Sequence, residues 1–365
     1  FQWLVSPDVV KVHLSQTGFA SHLVEETDVH LRNITPDATP YRSGLPIDAC
    51  PESDEDELTP TFMDRKRKYQ SIVGSIGWLA QSTRPDLAPS HSFLSAYCNK
   101  PSRSHLNAAL YVLHYIHSTH DYGISFMSED TAPMHSYVHY PPSSDIEAYD
   151  DAIPPKLGSS NTISAYSDAC WGSQLGSSVA DGTLLPLFKL RSMNGGIVFK
   201  NGGPLGWLGE RQDRTSLSSC EAEIRATNAT SKKVVNFHNL TRSVSEAGYD
   251  IPDSAAPTVL YNDNEACVKW SYNMTFKAAR HIELRDSSVR EWVQDKTLDV
   301  KHVAGKVNPA DIFTKEMRDG AHFRRLRDSF MSRLSDFLRD SILVVHHAKH
   351  QTPNTVAPAA AWVHA

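Results

Sequence analysis

TVLYNDNEAC, Thr258 to Cys267, sets a carboxylate directly behind a short apolar run. Val259, Leu260 and Tyr261 are β-prone and lie between Pro257 and the turn-forming Asn262-Asp263-Asn264, so the run reads as a buried strand ending in a turn. Two roles compete for the polar residues of that turn. Asp263 or Asn264 can cap the helix expected over NEACVKWSYN by accepting first-turn N–H groups that lack a helical partner. Alternatively, a carboxylate fixed at a strand end belongs to a site. The stretch alone favours capping, and only further carboxylates in comparable places reverse that preference.

The chain has 365 residues, 40% of them hydrophobic, enough for two or three cores. Its cysteines (Cys50, Cys98, Cys170, Cys220, Cys267) are odd in number, scattered and without a C-x-x-C pair, which argues against a disulfide framework and a zinc site and favours a reducing compartment. No apolar run reaches a membrane span and no signal peptide opens the sequence, so the expectation is a soluble protein, cytoplasmic or nuclear and not secreted. The net charge of -6 speaks against a general nucleic-acid binder. Much of the acid, however, is concentrated in PESDEDEL (Pro51 to Leu58), while RKRK (Arg65 to Lys68), Lys232-Lys233 and FRRLR (Phe323 to Arg327) form basic patches able to meet phosphates.

The opening FQWLVSPDVVKVHLSQ reads as strands severed from something upstream, and the chain is expected to be a fragment or a translated remnant. A connector rich in Pro, Asp, Glu and Ser comes next, then three helical segments. In the first, Tyr69, Ile72, Val73, Ile76, Leu79 and Ala80 recur at helical spacing up to Pro85; in the third, Leu106, Ala109, Leu110, Leu113 and Ile116 share a face. Loop composition marks 128–160 as a linker. Beyond it, strands at TISAYSDACWG, GGIVFK, PLGWLGERQ, TVLYND and LDVKHVAG alternate with a long helix from SSCEAEIRA and shorter ones, the last beginning NPADIFTKE: the pattern of an α/β mixed sheet. The organisation expected is 1–127 mainly helical, 161–318 α/β, and 319–365 a partly disordered tail.

Three more acids in the second region answer the opening question. Asp168 shares a strand face with Tyr166, Glu223 lies in the first turns of the long helix, and Asp311 opens the last helix. Together with Asp263 they suit a two-metal phosphodiester site, since Mg²⁺ takes hard oxygen ligands and two ions about 4 Å apart need several carboxylates. Glu221 is set aside because Ser218 and Glu221 have the S-x-x-E spacing of a capping box. Glu223 lies about 200° further round the helix. Trp171 and Trp207 are assigned to the core.

These segments resemble the ribonuclease H domain of copia-type LTR retrotransposons. YSDACWG, GGPLGWLGERQDRTSLSSCEAEIRA, LYNDNEAC, ARHIELRDSSVRE and HVAGKVNPADIFTK occur in that family's order, and YQSIVGSIGWLAQSTRPDLAPSHSFLSAYCNKPSRSHLNAALYVLHYIHSTHDYGISF is similar to the thumb or connection segment ending its reverse transcriptase. The resemblance covers about Val12 to Met317, and only the stretch 172–196 is longer than the family's usual loop. It implies a ribonuclease H-like five-stranded mixed sheet with flanking helices, a catalytic and metal-binding set of Asp168, Glu223, Asp263 and Asp311, two Mg²⁺ ions replaceable by Mn²⁺, and hydrolysis of the RNA strand of an RNA–DNA hybrid. Asp168 would bridge the ions, Glu223 and Asp263 completing one shell and Asp311 the other. His302 would help product leave. Asn264 is a candidate contact to the 2′-hydroxyl and Lys232 and Lys233 to phosphates. The Tyr-X-Asp-Asp motif of the polymerase is absent from the sequence, with the palm and fingers expected upstream, so no polymerase activity is expected. A DDE-type transposase core would carry its glutamate last rather than second; a degenerate or domesticated remnant acting as a structural module is the non-enzymatic alternative.

Overall fold

The computed structural model describes residues 2–5, 10–27, 38–40, 59–127, 163–171, 191–248, 257–273, 284–314, 317 and 319–338. The expected linker at 128–160, most of the insertion at 172–196 and the tail beyond 338 lie outside them. The chain forms two compact units, Phe1–Ser128 with Glu316–Ala365, and Glu129–Lys315.

The first unit carries helices α1 (Thr17–Glu26), α2 (Pro60–Ser82), α3 (Ala88–Ser95) and α4 (Arg103–Ser118). Helix α2 starts at Pro60, where Thr59 accepts the Phe62 amide and Pro60 fills a first-turn position that needs no N–H. Its buried face includes Tyr69, Ile72, Val73, Ile76, Leu79 and Ala80, the residues the periodicity selects. Beside these helices four short strands form an antiparallel sheet: β1 (Gln2–Val5), β2 (Val10–Ser15), β3 (Tyr122–Met127) and β9 (Met331–Arg333), in that order. The opening strands are legible in the sequence; β3 and β9 are not. The first part of the expected C-terminal tail carries structure. Asp319 caps α8 (Gly320–Asp328), and Phe323, Leu326, Phe330 and Met331 are buried, so burial of apolar side chains folds 319–338 into this unit. The basic run RKRK also changes meaning: Arg65 is buried and donates to the Pro101 carbonyl at 3.0 Å, leaving Lys66, Arg67 and Lys68 at the surface.

The second unit is α/β. Strands β4 (Ile163–Cys170), β5 (Met193–Lys200), β6 (Gly203–Arg211), β7 (Thr258–Asn262) and β8 (Leu298–His302) form a five-stranded mixed sheet in the order β6-β5-β4-β7-β8. Pairs among β4, β5 and β6 are antiparallel; β7 runs parallel to β4 and to β8. One face packs on α5 (Ser219–Glu246), α6 (Glu265–Tyr272) and α7 (Ser288–Gln294) through Ala165, Val198, Ile224, Leu260, Trp270 and Val289. The last element is a 3-10 helix, Pro309–Phe313, rather than the longer helix expected, with Asn308 capping it ahead of Pro309. It lies against the other face, where a Cβ on Gly195 would collide with Thr314 and with the Ala310 carbonyl.

Candidate metal centre

Strand β4 begins the sheet, the chain then steps outward to β5 and β6 on one side, and β7 and β8 fill the other. The order therefore reverses between β4 and β7, and the carboxyl ends of such neighbouring parallel strands are where ligands of α/β sheets generally bind. Ser167 pairs with Asn262 in register, so the next residues, Asp168 inside β4 and Asp263 just past the end of β7, stand at the same level. Glu223 reaches the same point from the second turn of α5. One carboxylate oxygen from each of Asp168, Glu223 and Asp263 lies within 4.8 Å of the other two, the first two residues being buried and Asp263 half-buried.

The surroundings fix these groups. Asn262 donates its side-chain N–H to Glu223 Oε2 at 3.0 Å and to Ser167 Oγ at 3.1 Å. Thr314 donates its hydroxyl to Asp168 Oδ2. Asn308 ties the 3-10 helix to β4 through the Ser167 carbonyl at 2.9 Å. A Cβ on Gly305 would sit 2.9 Å from Asp263 Oδ2, so glycine leaves that carboxylate its room. Burial, then the charges of Asp168 and Asp263, push the Glu223 carboxyl up to about 9 against the opposing hydrogen bond from Asn262. A cation at this point would relieve the repulsion, and an all-carboxylate oxygen set fits a hard divalent ion such as Mg²⁺.

The other expected residues are distributed more widely. Asp311 is buried in the 3-10 helix but stands outside the 4.8 Å group; its carbonyl accepts the Thr314 hydroxyl at 3.2 Å. His302 ends β8 exposed, its Nε2 3.2 Å from the Asp263 carbonyl oxygen. Asn264 caps α6, accepting the Cys267 amide at 3.0 Å. The opening alternative thus resolves into both roles, with Asn264 as cap and Asp263 in the cluster. Lys232, exposed, and Lys233, half-buried, come nine and ten residues after Glu223, about 14 Å and 15 Å along the helix axis. Glu221 differs in detail from the capping box. Ser218 accepts the Glu221 amide at 3.1 Å, but the Glu221 carboxylate takes the Leu217 amide at 2.8 Å and pairs with Arg225, both side chains buried. Trp171 corrects its assignment to the core, because β4 stops at Cys170 and the indole is left 49% exposed.

Sequence reasoning passes over Asn262, Gly305, Asn308 and Thr314. Only Asn308 carries a readable signal, a cap residue immediately before a helix-starting proline.

No family model matches the chain. It is 29% identical over 307 residues to the retrovirus-related Pol polyprotein from transposon RE2 of Arabidopsis thaliana, and 25% identical over 308 residues to that from transposon TNT 1-94 of Nicotiana tabacum. Each match takes in 84% of this chain but only 17% and 19% of those polyproteins, so the chain spans under a fifth of their length. A third relative, secreted RxLR effector protein 161 of Plasmopara viticola, is 30% identical over 168 residues, 46% of this chain and 89% of the effector. The chain belongs to one family with the effector, and its similarity to the transposon Pol polyproteins over 84% of its length makes it a retrotransposon Pol-related sequence.

Proposed function

We propose that the second unit is a ribonuclease H, cutting the RNA strand of an RNA–DNA hybrid with two Mg²⁺ ions, for which Mn²⁺ can substitute. The observation that carries this reading is the gathering of Asp168, Glu223 and Asp263 within 4.8 Å at the carboxyl ends of neighbouring parallel strands. The five-stranded mixed sheet and the relationship to transposon Pol polyproteins are consistent with it. Asp168, Glu223 and Asp263 would hold one ion, with Asp168 shared and Asp311 completing the second shell. Bound ions lower the pKa of an attacking water and stabilise charge on the leaving 3′ oxygen.

The chain's own groups prepare that site. Asn262 orients Glu223, Thr314 orients Asp168, and Gly305 keeps Asp263 free of steric pressure. His302, beside the Asp263 carbonyl, stands at the exposed rim where departing product would pass. Lys232 and Lys233 lie further along α5, within reach of phosphates distant from the cut. The test is direct: the purified chain with Mg²⁺ or Mn²⁺ should cleave the RNA of a labelled hybrid, leave the DNA strand intact and leave duplex DNA uncut. Failure to cut any RNA–DNA hybrid with either ion would overturn the reading.

A further inference from the structure

Trp171 is the first residue after β4, three positions beyond Asp168, and neither the carboxylate cluster nor the core uses it. Its indole N–H donates to the Ser216 carbonyl at 3.0 Å, which fixes the ring's polar edge while 49% of the residue stays exposed. The anchor is rigid. Ser216 is 3% exposed and donates to Gln212, whose amide in turn donates to Asn194 at 2.8 Å and to the Ala222 carbonyl at 3.0 Å, next to Glu223. Leu217, directly after the anchoring residue, is 73% exposed. An indole normally seeks burial on its apolar faces, and here the chain holds one half-open against buried support.

We propose that Trp171 is a substrate-positioning residue, its exposed ring packing on a sugar of the bound RNA–DNA hybrid close to the scissile phosphate. This rests on the reading of the second unit as a ribonuclease H. One observation and one general argument select a nucleic-acid sugar as occupant. Trp171 follows Asp168 by three residues along the chain, which places it within about 11 Å of that residue, or about three nucleotide steps of a duplex. Bases inside a duplex are stacked and closed to it, so a fixed aromatic surface at this distance meets the sugar edge of a strand rather than a base face. The contact is made equally before and during the reaction, so it contributes to binding more than to the chemical step.

The experiment compares the full chain with Trp171→Phe and Trp171→Ala. Binding of a labelled hybrid is read by fluorescence anisotropy at low ionic strength without divalent metal, and cutting of the same hybrid is read with Mg²⁺. Trp171→Ala should weaken binding and raise KM about five- to tenfold with kcat within about twofold, and Trp171→Phe should recover most of the loss. Equal affinity of wild type and Trp171→Ala overturns the platform, whether or not the wild type cuts. A fall in kcat with unchanged KM also overturns it, because the ring would then act through the fold of the site. Tryptophan-dependent binding without cutting by the wild type would leave the platform standing and remove the ribonuclease reading; absence of both binding and cutting removes both.

Discussion

Each unit buries charged side chains, and the two arrangements are opposite in kind. In the first, Arg84 and Asp86 are 1% and 0% exposed and meet through two hydrogen bonds of 2.9 Å, from Nε to Oδ1 and from Nη2 to Oδ2. Arg84 also donates to the Thr119 carbonyl at 2.8 Å, Tyr115 donates to Asp86 at 2.8 Å, and Arg327 donates to Tyr115 at 3.0 Å and to Tyr122 at 2.8 Å. Arg327 also pairs with Asp328 at 2.8 Å, so two guanidinium groups meet two carboxylates and the charge is matched. In the second unit Asp168, Glu223 and Asp263 bring like charges together. A neutralised network can serve as a structural tie, whereas clustered like charges cost stability and persist where a ligand uses them. The directions of the carboxyl pKa values express the contrast: burial raises both, but the Arg84 guanidinium beside Asp86 outweighs it and holds that carboxyl low, while Asp168 and Asp263 add to it at Glu223.

The largest expected effect is on catalysis. Asp263→Asn should leave the fold intact and reduce hybrid cutting by at least about a thousandfold, the scale of losing one preorganised charged group at a reacting centre. Rates measured under single-turnover conditions check this, and a mutant as fast as wild type would remove Asp263 from the site.

Second in size is the structural tie. Asp86→Ala strands a buried guanidinium and should lower the stability of the first unit by about 3–5 kcal/mol. Urea denaturation of wild type and variant measures it, and a loss below about 1 kcal/mol would mean that the network is incidental. The pH dependence has a definite sign. Because the folded Asp86 carboxyl is depressed, its stabilisation is present above the ordinary value of 3.8 and is lost as pH falls through the lower folded value.

Glu223 supplies the reverse sign. Its folded pKa, about 9, is raised from 4.5, so its contribution is fully favourable below pH 4.5 and is lost progressively as pH climbs to 9. Without metal, Glu223→Gln should therefore be more stable than wild type at pH 8, by about 1 kcal/mol or more, and indistinguishable from it near pH 4. Mg²⁺ should raise the wild-type melting temperature and close that gap, because an ion that binds the folded state alone stabilises it. Thermal melts at the two pH values, with and without Mg²⁺, decide the matter; a variant less stable than wild type at pH 8 would contradict the account of a repulsive cluster.

The same contrast explains what can be read from sequence. Asp168, Asp263 and Glu223 are legible because each sits at a strand end or in first helical turns, places local patterns mark. The network of the first unit is invisible there, since Arg327 is brought to Tyr115 only by folding the distant segment after Asp319 into that unit, and Arg84 meets Tyr115 only across the fold from another element. Strand β9 has three residues, too few for any periodicity, and YGISFM lies close behind a helix with a glycine inside it. Arg65 looks like a surface cation because its partner, the Pro101 carbonyl, is 36 residues away. Trp171 points inward only if strand alternation is extended one residue too far. Local chemistry is readable and long-range satisfaction of polar groups is not.

The smallest effects concern two of the helix caps, one taken from each unit. Thr59 accepts the Phe62 amide at the start of α2, and Asn264 accepts the Cys267 amide at the start of α6. Alanine at either position should cost about 1 kcal/mol, and serine, an equally good cap, should restore most of it. The two sites then part company, because Asn264 adjoins a residue of the carboxylate cluster and Thr59 does not. Asn264→Ser keeps a cap oxygen but removes the amide that could address a 2′-hydroxyl. If capping is the whole role of Asn264, the serine variant should cut hybrids at the wild-type rate and keep the same preference for RNA over DNA. A variant with wild-type stability but a relaxed preference would show that this side chain also reads the sugar, and the turn after β7 would then belong to the substrate surface as well as to the scaffold.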